Sequence, residues 1–394
     1  MAPRETPMNL TRLLMATALC GVPSIAAAQA GEGDPQTLEM HANAGWTTGF
    51  FGYVRAGYES VANDPNYAFV GQNDGFILHH ARLGHQGHNA AYNLSYQVSF
   101  EGAADFADGI NTPQGHLDVR LRDAFMRWDP SPYVGVQVGQ FRAPLIGEEL
   151  RGNAGLLFVG RAVGIDGVAT GRGFQQAGLA VDRQVGVMLS PAKPITIAGD
   201  VSASYFLMAA NGNGANQTLD DNGKPAFVGR VEINYGDLVT LGGGAMLNPR
   251  TEGDLPNLIE EDDLTIAADL LVTVAGAEVF GQFVQRTTSF ETIGATEDRK
   301  QQSIHAQIGY EIPTCIPLVP AYRFAMFNPW ASGGDSEGAD LEALKLTYHT
   351  VGLRVIHPQR ELGLSLYLNY TLTGEETARE LENDRFEALV QLLF

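Results

Sequence analysis

The sequence predicts an all-β chain whose strands close into a transmembrane antiparallel barrel of sixteen strands. Three observations carry this reading: strict two-residue alternation, connections that alternate between short and long, and a last amphipathic strand ending on an aromatic residue. In "AYNLSYQVSFEG" (91–102), Tyr92, Leu94, Tyr96, Val98 and Phe100 fall on one side. Asn93, Ser95, Gln97, Ser99 and Glu101 fall on the other. Successive side chains leave a strand on opposite faces, so the stretch reads as a strand with one apolar and one wet face.

The pattern recurs to the end of the chain, in "FFGYVRAGYE", "HLDVRLRDAFMRW", "AFVGRVEINY", "HTVGLRVIH", "ELGLSLYLNYTL" and "RFEALVQLLF". No long amphipathic helix interrupts it, and no composition shift marks a second domain. The short connections are "GHQGHN", "DPSP", "SPAKPI", "GD", "AG", "IPTCIPL" and "HPQRE". The long ones cover about 61–73, 102–115, 142–171, 211–225, 248–262, 289–300, 328–345 and 373–384. Seven short and eight long connections require sixteen strands with both chain ends on one side, as in outer-membrane barrels. The stretch 173–189 has room for one strand or two; the rhythm of the connections allows one.

The apolar faces then point to lipid and the polar faces to water. Trp128, Tyr133, Tyr235, Tyr310, Tyr370 and Phe394 cluster near strand ends, where aromatic girdles meet the membrane interfaces. The opposite faces carry Arg55, Glu59, Arg120, Arg122, Arg230, Glu232, Asn234, Glu278, Arg286, Arg354 and Asn369. A closed barrel also pairs every backbone group internally, which hydrocarbon demands. The soluble alternatives, a β-sandwich or a propeller, would show several cores or a repeat of fixed period, and none is evident.

The chain start reads as an export leader. Arg4 and Arg12 precede an apolar stretch over 13–25, and Ala28, Gln29 and Ala30 give a small-x-small cleavage pattern. This assigns 1–30 to a signal peptide and 31–394 to the barrel. Cys20 leaves with the leader, so Cys315 has no partner for an internal disulfide. No run of eighteen apolar residues follows, which excludes a transmembrane helix. The whole chain carries a formal charge of −20, and loss of Arg4, Glu5 and Arg12 makes it −21. Nucleic acid is therefore not a partner. Most of the acids sit in loop-like runs such as "TEGDLPNLIEEDD" and "GGDSEGADLE" and read as solvated.

Catalytic and metal chemistry find little support. His79 and His80 fall on opposite strand faces by parity, and His85 and His88 fall in an expected turn, so they do not converge on a metal. No Gly-x-Ser-x-Gly elbow and no evident Ser/His/carboxylate set is present. The expectation is a protein that is not an enzyme and has no cofactor. The rivals are a barrel lipase or protease and a non-conducting adhesin or structural barrel.

Four stretches resemble the phosphate-selective porin O/P family of Gram-negative outer membranes. They are "GFILHHARLGHQGHNAAYNLSYQVSFEG", "LRDAFMRWDPSPYVGVQVGQFRAPLIGEEL", "DRQVGVMLS" with "ASYFLMAANGNG", and "HTVGLRVIHPQRELGLSLYLNYTLTGEE". The second is the most specific: an acidic residue before an aromatic strand, then Gly-Gln-Phe-basic-x-Pro, then Glu. The resemblance implies a homotrimer set in membrane lipid and lipopolysaccharide. It also implies a third external loop, here about 142–171, folded inward to narrow a water-filled channel for small hydrophilic solutes, anions such as phosphate among them.

The charge departs from that family's arginine ladders and lysines. Between 31 and 190 the chain has ten arginines, no lysine and sixteen acids, a net charge of −6. Arginine suits an oxyanion path because its planar fork stays charged and presents paired donors. Arg120 and Arg122 share parity with Asp118 and face the bore if Val119 and Leu121 face lipid. Arg82 faces in from a neighbouring strand, and Arg142, Arg151 and Arg161 lie in or beside the inward loop. The candidate constriction therefore sets Arg82, Arg120, Arg122, Arg142, Arg151 and Arg161 against Asp118, Asp123, Glu148 and Glu149.

Overall fold

The computed structural model describes residues 38–42, 45–72, 74–105, 116–169, 171–253, 256, 258–290, 298–332, 344–375 and 380–394. The expected leader, 1–30, lies outside the described residues.

Sixteen strands form the wall: β1 (Trp46–Val61), β2 (Gly75–Asn89), β3 (Leu94–Asp105), β4 (His116–Ser131), β5 (Val134–Arg142), β6 (Arg183–Ser190), β7 (Val201–Ala210) and β8 (Ala226–Tyr235). The second half is β9 (Val239–Glu252), β10 (Ile259–Val274), β11 (Ala277–Phe290), β12 (Arg299–Tyr310), β13 (Leu318–Ser332), β14 (Leu346–Ile356), β15 (Leu364–Glu375) and β16 (Arg385–Leu393). Each pairs antiparallel with the next. β16 returns to β1, from Arg385 opposite Val61 to Leu393 opposite Tyr53, and closes the barrel. Closure leaves no open edge among these strands. A short N-terminal strand, Leu38–Ala42, pairs with the start of β1.

The alternation predicted from sequence sets the two faces. On β8, Val231 is 54% exposed and its neighbour Glu232 1% exposed; Arg230 and Asn234 share the sheltered side. Along β3, Val98 and Phe100 are exposed, and Gln97, Ser99 and Glu101 are buried. Large apolar residues clothe the outside, and the inside is polar except where an apolar cluster forms on the inner wall. The aromatics Trp128, Tyr133, Tyr235, Tyr310, Tyr370 and Phe394 are all exposed on the outer surface.

Three local expectations need correction. "GHQGHN" is strand, not turn: β2 runs through it and the chain reverses at 90–93. Gly84 and Gly87 look like turn residues, but a Cβ on Gly84 would fall 2.2 Å from the Phe51 ring. One on Gly87 would fall 2.5 Å from the Tyr96 ring. Glycine inside a strand here makes room for an aromatic neighbour. "SPAKPI" is likewise not the reversal. Pro191 and Pro194 lack the N–H a ladder needs, yet Ile195–Ala198 resume pairing with the start of β7, and the turn comes at Gly199 and Asp200. The stretch 173–189 holds one strand, as the rhythm required, but only its last part is β6. The preceding residues extend the connection after β5 to 143–182.

Candidate functional site

Two β-bulges concentrate charge on the inner wall. The β1–β2 register slips between the pairs Arg55–His80 and Ala56–Leu78, which leaves His79 as an extra residue. The β3–β4 register slips between Ser99–Asp123 and Phe100–Leu121, which leaves Arg122 extra. A bulge turns two successive side chains to one face where regular pleating allows one. His79 and His80 therefore both reach the bore, correcting the assignment to opposite faces. Arg122 and Asp123 also both face inward.

The segment 143–182 carries two short helices, α1 (Gly147–Leu150) and α2 (Val163–Asp166), and a 3-10 turn at Asn153–Gly155. Its apolar residues, Leu145, Ile146, Val163, Ile165 and Leu179 among them, are buried with Met188, Phe206, Met208, Val228, Met246, Val284 and Phe327 from the inner wall. Its backbone carbonyls are taken by arginines from around the barrel. Arg55 of β1 donates to Asn153 O at 2.8 Å, Arg230 of β8 to Leu145 O at 2.8 Å and Arg323 of β13 to Gly160 O at 2.9 Å. Arg286 of β11 donates to Leu179 O at 3.2 Å. Gln391 of β16 reaches Ala154 O at 3.1 Å.

Between this segment and the wall lies a cavity of about 370 Å³. Five arginines line it (Arg122, Arg161, Arg172, Arg323 and Arg385), against three carboxylates (Glu101, Asp166 and Glu387) and the imidazoles of His79 and His80. Tyr348, Thr350 and Thr371 add hydroxyls. The chain is acidic as a whole, yet the cavity wall has more arginine than carboxylate.

The residues singled out from sequence separate into groups. Arg122 and Arg161 line the cavity; Arg122 lies 3.5 Å from Glu101 and 3.4 Å from Asp182. Arg82 and Arg183 together clasp Asp123 inside the wall, Arg183 Nε standing 2.9 Å from Asp123 Oδ1. Arg120 and Asp118 pair at 3.1 Å, both exposed near the start of β4. Arg151 pairs with Glu278 at 2.6 Å, and Arg142 donates to Arg151 O at 3.1 Å.

Glu148 and Glu149 act as struts within the segment. Glu148 accepts the Ala162 N–H at 3.1 Å and lies 3.5 Å from His305 and 3.6 Å from Arg323. Burial works against its charge, but His305 and Arg323 outweigh that and lower its pKa. Glu149 accepts the N–H groups of Val181 and Asp182, both at 2.9 Å. Burial and then the charge of Asp182 raise its pKa. At Arg161, burial is more than offset by Asp166, Glu149 and Glu148, so the guanidinium is held above its ordinary value.

Three of the five cavity arginines, Arg172, Arg323 and Arg385, were not singled out from sequence. Arg323 and Arg385 come from β13 and β16 and meet the segment only because the barrel closes. The available signal was modest: a single arginine at inward parity in a largely apolar strand, as in "LVPAYRFAMF".

Residues 52–231 match the model of the family described as phosphate-selective porin O and P. Over that span, 180 of the 394 residues, the chain is similar to the phosphate-selective porin O and P family. It is thus a porin, an outer-membrane channel barrel. Solved porins share its fold at low identity. An anion-selective porin from Comamonas acidovorans matches at 15% identity and a TM-score of 0.59, over 89% of this chain and 100% of that one. OmpF of Salmonella typhi, in complex with daunomycin, matches at 13% identity and 0.58, over 91% and 100%. The outer-membrane channel DcaP of Acinetobacter baumannii matches at 13% identity and 0.56, over 90% and 99%. No curated protein matches the sequence of this porin.

Proposed function

We propose that this porin, exported by the leader 1–30, passes small hydrophilic anions, phosphate among them, by passive diffusion. The segment 143–182 folds into the bore and leaves the cavity beside it as the narrow point. The observation that carries the reading is the arc of Arg122, Arg161, Arg172, Arg323 and Arg385 on that cavity, in a chain otherwise rich in acid. The named anion-selective relative supports it by likeness of fold.

A channel lowers the cost of crossing hydrocarbon by offering a wet path and partial replacement of the solute's hydration shell. Guanidinium groups present paired donors to an oxyanion and stay charged at any working pH. Two of them, Arg161 and Arg323, spend donors on backbone carbonyls of the segment rather than on a close carboxylate. Arg161 is 4.0 Å from Asp166 and Arg323 3.6 Å from Glu148, so neither is locked into a close ion pair on the cavity wall. Glu101, Asp166 and Glu387 keep binding weak enough for the solute to leave. No covalent step is part of this reading.

A reversal potential across a planar bilayer under a salt gradient tests it. The wild type should prefer anions, and Arg161→Ala with Arg323→Ala should lower the anion-to-cation permeability ratio about threefold or more. Cation preference unchanged by the double substitution would end the anion reading. Release of fatty acid from lipid vesicles by the purified protein would instead favour an enzyme. We further propose that the porin assembles as a homotrimer in lipid and lipopolysaccharide, as one relative's trimer form suggests. Native mass measurement in detergent at the monomer mass alone would count against this.

A further inference from the structure

The β2 bulge places two consecutive imidazoles on the cavity, where nothing in the conduction argument above requires them. His79 and His80 stand edge to face, ring centroids 4.4 Å apart, and His80 Nδ1 lies 2.6 Å from Glu101 Oε1. The second bulge, in β4, brings Arg122 to within 3.5 Å of the other Glu101 oxygen. Two irregularities on strands that flank β3 thus gather His79, His80, Glu101 and Arg122 on one patch of cavity wall.

We infer that the His79–His80 pair sets the ion selectivity of this porin according to pH. The inference rests on the channel reading of the cavity. Histidine is the side chain whose ordinary pKa, about 6.5, lies between pH 5 and 8. Neutral imidazoles leave the wall with five guanidiniums against three carboxylates. Each proton taken up adds a positive charge at the narrowest point, where a fixed charge acts most strongly on a passing ion. Acidification therefore shifts permeation toward anions.

The charges facing the pair come from every neighbouring element. They are Arg55 on β1, Glu101 on β3, Arg122 on β4, Arg161, Asp166 and Arg172 on the segment, Arg323 on β13, and Arg385 and Glu387 on β16. Tyr53 of β1 stands edge-on to His80 at 5.9 Å. The cations oppose a second positive charge. Glu101, in direct contact with His80, is the carboxylate that faces the pair from β3.

The test compares the wild-type porin with His79→Asn plus His80→Asn in potassium chloride gradients at pH 8 and pH 5. In the wild type the anion-to-cation permeability ratio should rise about twofold on acidification. In the double variant that rise should fall to the residue left by carboxylates. Equal rises in both proteins would overturn the inference while leaving the channel reading intact. Absence of conductance at both pH values in the wild type would overturn the channel reading and this inference with it. Should the double variant not fold, by its heat-dependent gel shift, diethyl pyrocarbonate treatment of wild-type channels gives the same contrast. Loss of the pH response on modification supports the pair, and its persistence counts against it.

Discussion

Arg230 on β8 holds both carboxylate oxygens of Asp269 on β10, at 2.7 and 2.8 Å, across the intervening strand β9. The same guanidinium donates to Glu232 Oε1 and to Leu145 O, each at 2.8 Å. One side chain therefore neutralises two buried acids and fastens the segment 143–182 to the wall. Gly242, between them on β9, is the residue that permits this: a Cβ there would lie 1.9 Å from Arg230 Nη2.

Replacing Arg230 with alanine leaves Asp269 and Glu232 sheltered without their cation. Breaking a buried ion pair from one side typically costs about 3–5 kcal/mol. The variant should lose its heat-modifiable folded band at a clearly lower temperature than wild type. Arg230→Lys should recover only part of the loss, because an ammonium cannot span both Asp269 oxygens in a fork. A melting midpoint equal to wild type in Arg230→Ala would show that water already screens the cluster.

Asp64, between β1 and β2, fastens that connection to the one before β16. Its Oδ2 accepts the Glu382 N–H at 2.9 Å, and its Oδ1 accepts the N–H groups of Asn66 and Tyr67 at 2.7 and 2.9 Å. These bonds, that from Glu382 first, lower its pKa from the ordinary 3.8. A carboxyl whose folded pKa is depressed stabilises the fold fully above the unfolded value and loses that contribution as pH falls through the folded one. The fastening should hold from pH 7 down to about 4 and loosen below the ordinary aspartate value, near 3.9. Pepsin cleavage within 62–72 should rise sharply toward pH 2 in wild type. Asp64→Ala should be cleaved there already at pH 4.

The barrel was legible in the sequence because its evidence is periodic and additive. Val231 and Glu232 announce their faces without reference to any other strand, and sixteen such stretches need no long-range information. The site was less legible because it depends on breaks in that period. A bulge inserts one residue, and "ILHHARL" reads the same whether His79 is pleated outward or turned in beside His80. Glycines misled for a related reason: Gly84 and Gly87 yield space to the rings of Phe51 and Tyr96, and nothing local separates that use from a turn. Arg323 and Arg385 were missed because they join the cavity only through closure, far along the chain from Arg161.

Gly164 sets how closely the segment approaches the wall. A Cβ at this position would lie 2.0 Å from Ser303 Oγ and 2.4 Å from Ser303 Cβ on β12, with Phe327 next at 3.4 Å. Its carbonyl accepts the Leu179 N–H at 2.8 Å, so the two limbs of the segment move together. In Gly164→Leu the side chain finds no room, and overpacking of this kind costs about 1–3 kcal/mol. The strand ladder does not run through Gly164, so the heat-modifiable barrel should persist while the segment leaves its seat. Arg161, three residues back, should shift with it. Single-channel conductance should rise and anion preference fall. Ser303→Gly in the same chain clears the collision with residue 303 and should restore part of both values. Conductance and selectivity unchanged in Gly164→Leu would mean that the segment does not define the narrow point.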